Sequence, residues 1–224
     1  MDIKGNILKV KSLLHDRVKL VAVSKFHSVK IIREAYDAGQ RIFGESRVQE
    51  LIDKQPVLPD DIEWHFIGNL QTNKVKYIVP FISMIQSVDS LKLLHEIDRQ
   101  AYKYGRRINI LIEVHIAEEE SKHGFSPEEC IALFTNEAPK QYPNIQICGL
   151  MGMATFTDDT KQVSREFAIL NSLFNEIKSM PATDKLMFTE LSIGMSDDYK
   201  TAIENGSTMV RIGTAIFGVK IVES

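Results

Sequence analysis

Eight short β-rich runs, each followed by a stretch with the periodicity of an amphipathic helix, constrain this chain more than anything else in its sequence. The runs cover residues 20–25, 41–45, 63–67, 84–88, 108–116, 146–151, 186–192 and 209–212. Such alternation builds a parallel sheet coated with helices, and eight strands are the number that closes it into a barrel. A length of 224 residues suits one such barrel. No Pro/Gly/Ser-rich linker or compositional break divides the chain. The expected fold is therefore a single (β/α)8 TIM barrel over residues 1–224, with segment 1–19 as an extra N-terminal helix. An open doubly wound sheet fits the same pattern, because periodicity does not report closure.

Turn and cap residues punctuate these units. Ser28 is placed to cap a helix on which Val29, Ile32, Ala35 and Tyr36 share a face, and Gly39 stands where the chain must leave it. Ser126-Pro127-Glu128-Glu129 combines an N-cap, a proline at the first helical position and a glutamate three residues after the cap. Ser90 ahead of Leu91, Leu94, Ile97 and Ala101, and Ser196 ahead of Tyr199, Ala202 and Ile203, repeat the pattern.

Several function classes fall away on composition. Lys and Arg number 27 against 30 Asp and Glu, so a net charge of −3 offers no field for a nucleic-acid backbone. Cys130 and Cys148 lie far apart without metal or redox spacing and read as buried hydrophobes. The six histidines show no H-E-x-x-H or related spacing, which weighs against metal hydrolysis. His65 and His115 alternate with apolar residues and are expected to point into the barrel in a hydrogen-bonded core role. Glu118-Glu119-Glu120 reads as a solvated loop. The charged start of the chain holds no apolar run long enough for a signal peptide or membrane span, so a cytoplasmic location and no membrane partner are the default expectations.

In α/β barrels the active face lies at the C-terminal ends of the strands, and the loops after strands seven and eight often bind phosphate. Here those loops read Ser192-Ile193-Gly194-Met195-Ser196 and Arg211-Ile212-Gly213-Thr214, each setting a glycine beside hydroxyls that can donate to an anion. Asp197 and Asp198 oppose an anion on the axis of the helix they open, so either they point away or the phosphate relies on Gly213, Thr214 and the serines. Ordinary turn and cap roles explain the same residues.

The first run ends in Lys25. A solvated rim charge is the plain reading, but barrel closure makes strands one and eight neighbours about 4.7–4.9 Å apart and brings Lys25 beside the phosphate loops. An amine there is either a counter-charge or, with its pKa lowered by burial and by Arg211, a nucleophile toward a carbonyl. A phosphorylated aldehyde satisfies both groups, and pyridoxal 5′-phosphate (PLP) is the common cofactor of that description. Arg211, two residues before Gly213, could reach the pyridine nitrogen and hold it unprotonated. Its alternative is a salt bridge to Glu45 or Glu190.

The blocks VAVSK (21–25), REAYDAGQRIFGES (33–46), EWHFIGNLQTNKVK (63–76), SVDSLKLL (87–94), EEESKHGF (118–125), GLMGMA (149–154) and SIGMSDDYKTAIENGSTMVRIGTAIFG (192–218) closely resemble the pyridoxal-phosphate homeostasis protein family. The resemblance runs from about Leu20 to Gly218. It implies a fold-type III PLP barrel similar to the N-terminal domain of alanine racemase, with Lys25 as the Schiff-base lysine. It also implies phosphate contacts at Ser192, Ser196, Gly213 and Thr214, with the backbone of Gly194 and Met195 beside them, and Arg211 on the pyridine nitrogen. Three departures stand out: Ser46 where the family usually has Asn in a cofactor-side position, Asn69 for a usual His, and His115 for an expected Asn.

A PLP racemase needs an acid/base on each face of its substrate. In alanine racemase the second comes from an added C-terminal domain, whereas only residues 219–224 follow the last of these blocks here. The resemblance therefore implies a monomeric PLP buffer or carrier that hands the cofactor to PLP-dependent apo-enzymes, without turnover. A PLP-dependent racemase or lyase is the alternative. A Schiff-base aldolase is disfavoured, since run 146–151 carries no lysine.

Overall fold

The computed structural model describes residues 2–118, 123–136, 138–181 and 187–218. Its strands are β1 Lys19–Val23, β2 Ile42–Glu45, β3 Glu63–Phe66, β4 Met84–Val88, β5 Ile108–Glu113, β6 Ile145–Met151, β7 Glu190–Ser192 and β8 Met209–Ile212. All pair in parallel with their sequence neighbours, and β8 returns to β1, so the sheet closes into the expected barrel and the open alternative is excluded. The closing seam sets Lys19 opposite Met209, Val21 opposite Arg211 and Ala22 opposite Ile212.

The helices are α1 Ile3–Leu13, α2 Val29–Asp37, α3 Val48–Lys54, α4 Val75–Ile78, α5 Leu91–Lys103, α6 Pro127–Thr135, α7 Ala138–Gln141, α8 Thr160–Lys178, α9 Tyr199–Glu204 and α10 Thr214–Phe217. Their punctuation largely follows the cap chemistry. Ser126 and Glu129 form a reciprocal capping box, and the Ser90 hydroxyl accepts the Leu93 amide. Gly39 leaves α2 at φ +90°. Ser28 is the N-cap of α2 but makes no side-chain cap bond. Ser196 does not cap a helix: Asp198 is the N-cap of α9. The extra N-terminal helix is shorter than segment 1–19 and buries Ile3, Ile7 and Val10, while Asn6 Nδ2 donates to the Ile216 carbonyl of α10 at 2.9 Å.

Period-two alternation divides the strand side chains between two apolar layers. Leu20, Ala22, Val210 and Ile212 join the large core between strands and helices, whereas Val21, Met84, Leu111, Cys148, Met151 and Met209 fill the barrel interior. Arg211 shares the inward parity of Met209 and is only 4% exposed.

Two strands, β5 and β7, are shorter than their sequence runs by more than one residue. β5 stops at Glu113 because the next residues turn from the ladder to pair with another loop: His115 N–H donates to the Phe125 carbonyl at 2.9 Å, and Phe125 N–H to the Glu113 carbonyl at 2.8 Å. His115 therefore stands at the mouth, not inside the barrel. β7 begins only at Glu190, and Leu186 lies outside the described residues, as do Glu119, Glu120 and 219–224. Glu118, also exposed, donates its N–H to the Thr155 hydroxyl at 3.1 Å. Both cysteines are buried and free, and burial pushes the Cys130 thiol up to about 12. Among the described residues no helix is long and apolar enough to cross a membrane.

Candidate functional site at the barrel mouth

Closure brings the exits of β1 and β8 together. A Cβ added at Gly213 would stand 3.3 Å from the Val23 carbonyl oxygen, so the β8 turn lies against the last residue of β1. Lys25 follows two residues later and is exposed. The backbone beside it is held in place: Phe26 takes φ +66°, a left-handed conformation that costs a bulky residue strain. Glu50 Oε2 accepts the Phe26 N–H at 2.8 Å, and the Arg47 guanidinium lies 4.5 Å from the centre of the Phe26 ring.

Beneath this turn, the buried Lys54 ammonium donates to the Ser24 carbonyl at 3.0 Å, to Glu45 Oε1 at 2.8 Å and to Glu50 Oε2 at 2.9 Å. Three acceptors match the three donors of an ammonium. Burial raises the Glu45 carboxyl above its ordinary pKa against the opposing pull of Lys54, and Glu45 Oε2 has no hydrogen-bond partner. The sequence reading missed this cluster, whose only trace was the i, i+4 spacing of Glu50 and Lys54.

On the β8 side, the N–H groups of Gly213 and Ala215 converge on one oxygen, the Ser196 hydroxyl, at 3.2 and 3.4 Å. Two amides aimed at a single oxygen, with the exposed Thr214 between them, form a small anion cradle. The Met195 amide is taken by Asp198 Oδ1 at 2.5 Å. Burial raises the Asp198 carboxyl, while that amide bond and Arg211 oppose the rise. Gly194, at φ +96°, owes its identity to packing: an added Cβ would lie 2.5 Å from that of Ala202 in α9.

Arg211 neither faces solvent nor pairs with Glu45 or Glu190, which bind Lys54 and Lys19 instead. Its Nη1 donates to the carbonyl and hydroxyl of Ser192, both at 2.8 Å, and its Nη2 to the Gly152 carbonyl at 3.0 Å. The Ser192 hydroxyl in turn donates to Gln86 Oε1 at 2.7 Å, and Gln86 Nε2 lies 2.9 Å from His65 Nδ1. A polar chain thus crosses the interior from His65 to Arg211. Burial, aided by the Lys19 charge, holds the His65 pKa down at about 3, so its ring is neutral and Nδ1 accepts from Gln86. Burial also lowers the Arg211 pKa to about 10, with Glu113 and Asp198 opposing, and the guanidinium keeps its charge.

The expected site residues thus fall into three groups. Ser196 and Gly213, with Thr214 beside them, gather at the β8 turn, which abuts Val23 at the end of β1 two residues before Lys25. Ser192 is fully buried and committed to the interior chain, and Gly194 to packing on α9. Ser46 lines a separate groove with Arg47, Asn69 and Lys74, while Met195 borders a cleft of about 410 Å³ on the β3–β7 side of the mouth. That cleft also holds His115, expected inside the barrel, and Glu113, to which the sequence assigned no role. Burial pushes the Glu113 carboxyl up to about 7, with Asp89 adding to the rise and Arg211 and His123 opposing it.

Residues 2–221 match the family model described as alanine racemase, N-terminal domain. A pyridoxal phosphate homeostasis protein of Aquifex aeolicus is 41% identical over 201 residues, covering 89% of this chain and 86% of its own. One from Homo sapiens is 40% identical over 213 residues, covering 89% and 76%. The solved structure of PipY from Synechococcus elongatus with PLP bound is 37% identical, with a TM-score of 0.86 over 96% of this chain and 100% of that one. The same protein without PLP gives a TM-score of 0.89. Alanine racemase from Streptomyces lavendulae, 17% identical with a TM-score of 0.78 over 97% of this chain and 57% of its own, shares the fold.

Proposed function

The chain belongs to the family of the alanine racemase N-terminal domain, among the pyridoxal phosphate homeostasis proteins, and from that premise we propose that it binds PLP at the mouth of its barrel and holds it as a Schiff base on Lys25 for buffering or transfer. The observation that carries the assignment is the pair of Gly213 and Ala215 amides converging on one oxygen at the turn that abuts β1. An anion cradle beside a lysine fits a phosphorylated aldehyde, so the residues present suit the group.

When bound, PLP supplies an electrophilic aldehyde that an amine captures reversibly. The chain's own residues supply the rest. Gly213, Ser196 and Thr214 would hold the phosphate, with the Met195 and Gly194 backbone shaping the adjoining turn. The Lys54 cluster fixes the strained turn after Lys25, so the amine is presented at the seam without a conformational search. Arg211, pinned by Ser192 and Gly152, would offer its remaining donors to the pyridine nitrogen and favour the unprotonated form. Ser192 would act through Arg211, and Ser46 would contribute only from the neighbouring groove beyond β2.

Handing PLP to apo-enzymes as a monomer, without turnover of a substrate, completes the reading. One observation favours a second reading, a PLP-dependent racemase or lyase: Glu113, with its pKa near 7, gives the mouth a group able to move protons at neutral pH. Racemase and lyase assays on the wild type and Lys25→Ala separate the two.

The assignment to Lys25 is tested by visible absorption before and after borohydride reduction. The purified protein is expected to be yellow, reduction to attach one pyridoxyl group to Lys25, and Lys25→Ala to remain colourless. A wild type that stays colourless after added PLP overturns it.

A further inference from the structure

The cleft on the β3–β7 side of the mouth has apolar walls from Ile67, Val114, Ala154 and Met195. Glu113 is 7% exposed, lines this cleft and, among the described residues, has no hydrogen-bond partner for its carboxylate. A carboxylate so placed is an acceptor on both oxygens and is costly to bury unpaired. The nearby cation makes no hydrogen bond to it: the bonds of Arg211 run to Ser192 and Gly152. Asp89, Arg211 and His123 are the charged or titratable groups that face it.

Taking the PLP-carrier reading as given, we propose that this cleft receives a primary alkylammonium, its hydrocarbon stem along the apolar walls and its ammonium on the Glu113 carboxylate. An ammonium carries three donors and no acceptor, which complements an acceptor-only group through charge-assisted hydrogen bonds. Glu113 and Asp89 together repel an anion, and among the described residues no group of three His, Cys, Asp or Glu is placed to hold a metal. The amine is either a free small amine or the side chain of a lysine on a recipient protein, since both present the same head and stem. After passing a proton to the Glu113 carboxylate, such an amine is a free base able to compete with Lys25 for an aldehyde bound at the same barrel mouth, and the site thereby supplies a route to release.

Ammonium binding selects the ionised carboxyl, so the proton on Glu113 passes to solvent as the pair forms. Calorimetric titration of cofactor-free protein with n-butylamine at about pH 7, in two buffers of different ionisation enthalpy, reads both affinity and proton release. Binding with proton release is expected, weakened about tenfold or more in Glu113→Gln. Equal affinity in the variant, binding without proton release, or no binding overturns the inference. Should Glu113→Gln fail to fold, the proton count of the wild type decides alone.

Nα-acetyl-lysine methylamide binding as tightly as n-butylamine supports a protein lysine as the source, and n-butylamine binding without it supports a free amine. A parallel PLP titration keeps the two readings apart. PLP uptake without amine binding sinks only this inference, and amine binding without PLP uptake sinks only the carrier.

Discussion

Arg211 Nη1 and the Ser192 hydroxyl oxygen lie 2.8 Å apart, and that contact joins a buried guanidinium on β8 to a hydrogen-bonded chain running through Gln86 to His65. The chain sets the direction of the guanidinium, because each member has a donor or acceptor role fixed by the next. Gln86 is the link whose amide serves both ends. Replacing it by leucine orphans the Ser192 hydroxyl and His65 Nδ1, at about 1–3 kcal/mol each. Gln86→Leu is therefore expected to lose about 3 kcal/mol in urea unfolding. A variant as stable as wild type shows that the chain contributes nothing to the fold.

How much of this was legible follows from what each signal reports. The bounds of β4 and β8 were readable residue by residue, because their apolar runs begin and end with their hydrogen bonding. The β5 run continued through Ile116 because Val114 and Ile116 stay buried after the ladder ends, and composition does not separate a strand from a buried loop. Ser196 carried the composition of a cap, yet its hydroxyl serves a turn 17 residues away, a pairing created by the packing of β7 beside β8. Nothing in the sequence around Lys54 or Glu113 set either apart from the other charges. Their burial depends on which neighbours the barrel assembles, which one-dimensional spacing does not encode.

Lys54 illustrates the energetic consequence. Removing its ammonium leaves Glu45, fully buried, facing Glu50 without a counter-charge. Breaking one side of a buried pair typically costs about 3–5 kcal/mol, and the partial exposure of Glu50 places Lys54→Met near the lower end, at about 3 kcal/mol. Adding Glu45→Gln to Lys54→Met is expected to restore part of the loss, since the orphaned charge is gone. Urea midpoints of the single and double variants check this, and a double variant less stable than Lys54→Met refutes the account.

Glu113 makes stability depend on pH in a stated window. Its folded pKa is raised, from 4.5 to about 7, so the folded state holds a proton that the unfolded state has released. The contribution is fully present below the unfolded value and is lost as pH rises through the folded one. A shift of that size corresponds to about 3 kcal/mol at most. The wild type is expected to lose stability between about pH 4.5 and pH 7, and Glu113→Gln to show a flatter profile there. Identical profiles from urea unfolding across that range would show that Glu113 does not titrate in the window.

Ser196 offers the sharpest separation of binding from folding. Its hydroxyl is half-buried and makes its described hydrogen bonds only to the amides of Gly213 and Ala215, so Ser196→Ala frees two donors at a partly solvated turn instead of orphaning them in the core. Water can take up both, and the stability cost is expected to stay at about 1 kcal/mol or less. The proposed phosphate contact, in contrast, would lose a hydroxyl that organises the cradle and can donate to an anion. One charge-assisted hydrogen bond of about 1.5–3 kcal/mol corresponds to a PLP affinity reduced about tenfold to a hundredfold. Absorbance titration with PLP, set beside titration with pyridoxal, tests the origin of that loss. The serine substitution should weaken PLP and leave pyridoxal, which lacks the phosphate, unaffected. An equal loss for both ligands would place Ser196 outside the phosphate cradle.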